Sequence, residues 1–131
     1  MPQEDKIKKE IDRIGLVLAK LLSLILNKPD HHAEAASDVI QQAHDGLDLD
    51  IHQLLSLSPD ELTDYLVSVK KFSVDNLRNF AHLLYEMSRT FDEEHKARYR
   101  KQALVIYEYV NTHGDGTVYL DIISRIQEMK Q

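Results

Sequence analysis

The segment of residues 111–122 carries the residue types of a calcium-binding loop. It reads Asn-Thr-His-Gly-Asp-Gly-Thr-Val-Tyr-Leu-Asp-Ile, and Gly116 stands where such a loop makes its sharp turn. The last position requires a glutamate that binds through both oxygens, but Ile122 occupies it and Asp121 stands one residue too early. His113 offers a nitrogen, which the hard calcium ion disfavours. We therefore interpret the segment as a turn between two helices.

His31 and His32, followed by Glu34 and Asp38, offer ligand types that transition metals accept. Adjacent residues of a helix point in different directions, so the two rings cannot chelate one ion from regular helix geometry. Zinc also prefers three or four convergent ligands. We predict a solvated histidine pair, and neither a metal site nor a cofactor site.

Three aspartates, Asp45, Asp48 and Asp50, could in principle supply a carboxylate pair for acid–base chemistry. They surround the predicted end of a helix, where aspartates cap backbone amides. The sequence shows no apolar surroundings that would raise a carboxyl pKa. It also contains no glycine-rich phosphate loop and no Gly-x-Ser-x-Gly elbow. We predict no catalytic residue and favour a non-enzymatic protein.

Six tyrosines could line a ligand groove, but their helical spacing favours edges of a core, with hydroxyls that reach water. Tyr107 and Tyr109 cannot both point inward, because they are two residues apart on one predicted helix. One of them is expected to be a surface aromatic, which hints at a contact surface.

Charge and composition limit the classes of partner. The chain has 131 residues, no cysteine and a net charge of −6, which disfavours binding to nucleic acid or to anionic membranes. The absence of cysteine excludes disulfides and thiolate metal sites. The N-terminus is acidic where a secretory signal is basic, so we predict a cytoplasmic protein. The basic cluster Lys96, Arg98, Arg100 and Lys101 follows Glu93 and Glu94, which predicts a salt-bridged, solvated face.

The first predicted helix covers residues 3–26. Apolar residues recur along it in steps of four and three, at Ile7, Ile11, Ile14, Leu18, Leu21 and Ile25. From Gly15 onward, leucines and a valine occupy most of the circumference. A helix of this kind must be enclosed on several sides.

Turn and capping signals divide the middle of the chain. A helix over residues 31–44 should stop at Gly46 in the left-handed conformation, with Leu47 folded back, and a short helix should follow over 50–55. Ser58-Pro59-Asp60-Glu61 has the pattern of a capping box that opens a helix ending near Lys71. Its predicted inward residues are Leu62, Tyr65, Leu66 and Val69.

Three further helices are predicted in the C-terminal half. Ser73 caps the first, Asp92 opens the second and Thr117 caps the last. Their predicted core residues are Leu77, Phe80, Leu84, Met87 and Phe91; Ala103, Ile106 or Tyr107, and Val110; and Tyr119, Ile122, Ile123, Ile126 and Met129. The sequence predicts an all-α domain over residues 1–131, with an N-terminal part (1–57) and a C-terminal part (58–131). It should be an antiparallel bundle or array of about six or seven helices.

The C-terminal part resembles a tetratricopeptide-type helical hairpin. The resemblance is carried by Phe80-Ala81 and Leu84-Tyr85 on one helix and by Tyr99, Ala103-Leu104 and Tyr107 on the next. The whole chain is also similar to a group of short, uncharacterised bacterial proteins, through Leu54–Leu62, Ala81–Met87 and Lys101–Tyr109. That similarity implies an architecture and no site residue.

The excess of apolar residues on the first helix suggests an interaction surface. We predict a non-enzymatic protein-interaction module, with a protein partner or a second copy as a homodimer. The predicted interface consists of Ile14, Val17, Leu18, Leu21, Leu24 and Ile25. Alternatively, this helix is the centre of a monomer. A small-molecule or metal-binding regulatory domain, or an enzyme without a linear motif, is the second hypothesis, although no small molecule can be identified from the sequence.

Overall fold

The computed structural model describes residues 2–27, 32–114 and 120–130. These ranges contain seven α-helices, one π-helical turn and no β-strand, which confirms the prediction of an all-α fold. The elements are α1 (Pro2–Leu26), α2 (His32–Leu47), α3 (Ile51–Leu54), α4 (Pro59–Asp64), the π-turn (Tyr65–Val69), α5 (Val74–Ser88), α6 (Glu93–His113) and α7 (Leu120–Lys130).

Helix α1 packs against both α2 and α5, and small residues allow the close approach. A β-carbon added at Gly15 would lie only 3.1 Å from Oδ1 of Asn76 on α5, and one at Gly46 would lie 3.4 Å from Cγ1 of Val17. Nδ2 of the buried Asn76 donates to the backbone oxygen of Ile11 at 3.1 Å. Two neighbours therefore cover the inward side of α1.

Helices α5 and α6 form the most extensive helix pair of the described chain. Ser73 caps α5 by accepting from the amide of Asn76 at 3.2 Å, and Asp92 caps α6 by accepting from the amide of His95 at 3.0 Å. Both caps were predicted from the sequence. Of the two alternatives for the core of α6, Ile106 and Tyr107 are both fully buried.

The connection between α5 and α6 differs from the prediction. Phe91 was expected to end the apolar face of the preceding helix, but α5 ends at Ser88. Phe91 lies in the connection, and its ring stacks on that of Tyr99 with centroids 4.8 Å apart. Phe91 therefore packs against the core although it lies outside the helix.

The end of α2 also differs from the prediction. The helix continues through Gly46 to Leu47, and Asp48, not Gly46, adopts the left-handed conformation with φ of 52°. Aspartate tolerates this region better than most residues with a β-carbon. Leu47 is buried, but as the last residue of the helix and not as a residue that folds back after it. The amide of Leu49 then donates to the oxygen of Ala43 at 3.2 Å, which closes the helix end.

Helix α4 begins with the predicted capping box and continues into the π-turn. Ser58 Oγ accepts from the amide of Glu61 at 3.2 Å, and Glu61 Oε1 accepts from the amide of Ser58 at 3.1 Å. The π-turn is closed by the amide of Lys70, which donates to the oxygen of Tyr65 at 2.9 Å. The prediction that Val69 faces inward is wrong, because the wider turn breaks the 3.6-residue spacing and leaves Val69 60% exposed.

Candidate protein-interaction surface

Most of the residues predicted for a protein interface lie inside the chain's own core. Val17 and Leu24 are partly buried and pack against that core. The other four are at most 3% exposed: Ile14, Leu18, Leu21 and Ile25. The covering helices are α2 and α5. An interface on α1 remains a prediction, but other residues of the helix would have to form it.

The outward side of α1 carries an uncharged stripe in solvent, with a leucine at each end. Leu16 is 74% exposed and Leu26 is 52% exposed. Ala19 and Ser23 stand between them and are also exposed. The steps of three, four and three residues place these four positions along one side of the helix. We call Leu16, Ala19, Ser23 and Leu26 the outward stripe. It contains no charge, although the exposed Lys20 borders it.

A second cluster joins α7 to α5 and α6 around the ring of Tyr85. The hydroxyl of Tyr85 donates to Glu128 Oε1 at 2.6 Å, although the residue is only 1% exposed. The guanidinium of Arg125 lies 4.2 Å from the ring centroid, and those of Arg89 and Arg100 lie at 5.2 and 5.5 Å. These distances allow cation–π attraction.

Carboxylates compensate much of the arginine charge in this Tyr85 cluster. Arg125 lies 3.7 Å from Glu86 and 3.6 Å from Glu128, and Arg89 lies 3.6 Å from Glu86. Since these partners are internal, we assign the cluster a structural role in holding α7 rather than a role in anion binding.

The Tyr85 cluster predicts a pH-dependent contribution to stability. The hydrogen bond from Tyr85, together with the nearby arginines, lowers the pKa of Glu128. A lowered folded-state pKa stabilises the fold above the ordinary glutamate value of 4.5 and loses that effect as the pH falls through the folded-state value. We expect Glu128→Gln to lower the melting temperature at pH 6, and we expect the difference from the parent protein to shrink as the pH falls below 4.5. A difference that is constant with pH would contradict this assignment.

The aspartates considered for acid–base chemistry have local structural partners. Asp50 caps α3 by accepting from the amide of Gln53 at 3.3 Å. Asp45 accepts from Gln41 at 3.1 Å, and Asp48 lies 3.6 Å from Lys70. The three carboxylates thus lie at helix ends, where they contact nearby backbone or side-chain groups.

The residues considered for metal binding lie partly outside the described residues. The residues outside the described part are His31, the side chain of His32, and residues 115–119 of the calcium-like segment. Within the described ranges, no group of three or more histidine, aspartate or glutamate side chains is arranged to hold a metal ion. The helices of these ranges include none with the length and apolar character needed to cross a membrane.

The five tyrosines that the structure describes do not line one common groove. Tyr85, Tyr99 and Tyr107 are buried, and Tyr107 shares a hydrogen bond with Nδ1 of His82. Burial raises the pKa of Tyr99 to about 12. Tyr109 is the more exposed member of the pair on α6, and its ring stacks on that of His113 at 4.1 Å. Tyr119 lies outside the described residues.

The basic cluster of α6 has the local ion pairs that its sequence predicted. Lys96 lies 4.0 Å from Glu93, and Arg98 lies 3.8 Å from Glu94. Arg100 is part of the Tyr85 cluster. Exposed pairs of this kind contribute little to stability.

Comparisons with protein-family models, with curated proteins and with solved structures found no match to this chain.

Proposed function

We propose that the protein is a non-enzymatic helical interaction module that forms a homodimer through the outward stripe of α1. The observation that carries the proposal is the stripe itself, in which Leu16 is the most exposed large hydrophobic residue of the described chain. Single exposed leucines are common on protein surfaces. Two leucines on one side of a helix, with small residues between them, form a surface that a second helix can cover.

The order of residues within the outward stripe favours a second copy as the partner. The stripe has leucines at both ends and small residues in the middle, so it reads similarly in both directions. In an antiparallel pair, Leu16 would oppose Leu26 of the second copy, and Ala19 would oppose Ser23. A two-fold interface requires this kind of self-complementarity.

The size of the stripe indicates a weak dimer. Burial of a leucine contributes about 1.5–3 kcal/mol, so four leucines contribute roughly 6–12 kcal/mol before losses. Association costs about 4–15 kcal/mol in lost translational and rotational freedom. The most favourable difference, about 8 kcal/mol, corresponds to a dissociation constant of about 1 µM, so we expect a dissociation constant of about 1 µM or above.

Lys20 gives the proposed dimer a distinctive dependence on salt. It is one residue from the centre of the antiparallel register, so the two Lys20 side chains would lie close to each other. Added salt screens this repulsion. The dimer should become tighter, not weaker, as the ionic strength rises.

The resemblance of the α5–α6 pair to a tetratricopeptide-type hairpin supports an interaction role, because repeats of that type build protein-binding surfaces. We propose that this pair is a degenerate hairpin of that type. Fully buried alanines on both helices, Ala81 and Ala103, support close packing of the pair.

Measurement of mass against protein concentration tests the homodimer. Light scattering from about 10 µM to 1 mM should show the parent protein approaching twice its monomer mass. Leu16→Asp should remain a monomer with an unchanged circular dichroism spectrum, because the side chain is exposed. Val69→Ser, which alters an exposed valine outside the stripe, should dimerise like the parent. A parent protein that is monomeric at 1 mM, or a Leu16→Asp variant that dimerises equally well, would refute the proposal.

A further inference from the structure

A second apolar surface lies between α3 and the π-turn, away from the outward stripe. It is a groove of about 270 Å³ whose apolar lining comes from Leu54, Leu57, Tyr65 and Val69. Two carboxylates, Glu61 and Asp64, also line it. We call this surface the acidic groove.

The acidic groove depends on the π-turn. Regular α-helical spacing would turn Val69 toward the core together with Leu62 and Leu66, and these two leucines are fully buried. The π-turn instead leaves Val69 60% exposed at the wall of the groove. Turns of this type are rare within helices and occur frequently at functional sites. An apolar side chain is thus held in solvent next to other apolar side chains.

Both carboxylates of the groove accept hydrogen bonds from nearby serines. Hydrogen bonds from the backbone and hydroxyl of Ser58 lower the pKa of Glu61. Asp64 accepts from the hydroxyl of Ser68 at 3.2 Å. Lys70 donates to the oxygen of Leu47 at 3.3 Å, lies 3.6 Å from Asp48, and places its ammonium 5.8 Å from the ring centroid of Tyr65. Lys70 thus borders the groove, while in the described part of the chain Glu61 and Asp64 accept hydrogen bonds from Ser58 and Ser68 and not from a cation.

We infer that the acidic groove binds a basic amphipathic helix of a partner protein. The apolar lining takes a leucine or isoleucine anchor of that helix, and Glu61 and Asp64 pair with lysines or arginines beside the anchor. Helices commonly dock in apolar grooves in this way. A groove of about 270 Å³ has room for an anchoring side chain. Its negative charge disfavours nucleic acids and anionic membranes.

A labelled peptide provides the probe. It should have 18 residues, with leucines along one helical face, lysines at the flanks of that face, and alanine and glutamine elsewhere. Its fluorescence anisotropy should rise saturably when the parent protein is added. A peptide with glutamates in place of the lysines should not bind, because the carboxylates of the groove repel it.

Two sets of variants separate the acidic groove from general charge effects. Glu61→Gln combined with Asp64→Asn keeps hydrogen-bonding atoms at both positions but removes both charges, and it should weaken binding about tenfold. The matched control, Asp38→Asn with Glu94→Gln, removes the same charge from exposed positions outside the groove and should change the affinity less than twofold.

Val69→Ser tests the apolar contact and should weaken binding about fivefold. Leu16→Ser is its control, since it alters the outward stripe and should leave peptide affinity unchanged while it reduces self-association. A result that refutes the homodimer would therefore not count against peptide binding by the acidic groove. The inference is overturned if the basic peptide does not bind at 1 mM protein, if both charge-removing pairs weaken binding equally, or if Val69→Ser binds like the parent.

Discussion

Replacement of Leu18 by aspartate should unfold the protein, because this side chain is fully buried between α1 and its two covering helices. An isolated buried carboxylate costs several kcal/mol, and the loss of leucine packing adds about 2–5 kcal/mol. A small domain has a total stability of about 5–15 kcal/mol, so the variant should be largely unfolded or close to it. Urea titration followed by circular dichroism would measure the loss.

The control for this change lies two residues earlier on the same helix. Leu16→Asp places the same charge at a position that is 74% exposed, and it should change the free energy of unfolding by less than about 1 kcal/mol. A Leu18→Asp protein that stays folded and merely dissociates would reverse the assignment of the two faces. It would return Leu18 to the interface that the sequence predicted.

Replacement of Gln102 by alanine should cost about 2–4 kcal/mol of stability. Its side chain is buried on α6, and Nε2 donates to the backbone oxygen of Leu54 at 2.6 Å and to that of Leu57 at 3.0 Å. Truncation removes both hydrogen bonds, takes away the side-chain partner of the Leu57 oxygen, and opens a cavity. The segment between α3 and α4 would lose its side-chain hydrogen bonds from α6.

Urea titration of Gln102→Ala would measure the loss, and proteolysis within residues 55–58 should become faster. Gln127→Ala is the matched control, because Gln127 is exposed on α7 and should lose less than about 0.5 kcal/mol. A loss below about 1 kcal/mol for Gln102→Ala would mean that water replaces the amide at these two carbonyls.

Hydrogen bonds between near neighbours in the sequence were predictable from the chain alone. Ser58, Ser73 and Asp92 each cap a helix through an amide three residues ahead, so their geometry depends on a few adjacent dihedral angles. The inward faces of α5 and α6 followed from regular helical spacing for the same reason. Long, periodic helices are thus visible before any tertiary contact is known.

Predictions failed where the local geometry departs from a regular helix or a regular cap. Val69 was assigned to the core on a spacing of 3.6 residues, but the π-turn rotated it into solvent. Gly46 was chosen as the left-handed residue by preference, whereas Asp48 takes that role. In both cases a preference inferred from the local sequence did not hold in the folded chain, because local propensity is a weak guide that tertiary context overrides.

The sequence by itself determined that the chain forms helices, where several of them begin, and that α1 carries more apolar residues than one neighbour can cover. Only the tertiary structure decided which of those residues are covered. Ile14, Leu18, Leu21 and Ile25 face α2 and α5, and Leu16 and Leu26 remain in solvent. The physical reason is that a helical pattern specifies a direction around one axis, whereas burial depends on where the other axes lie.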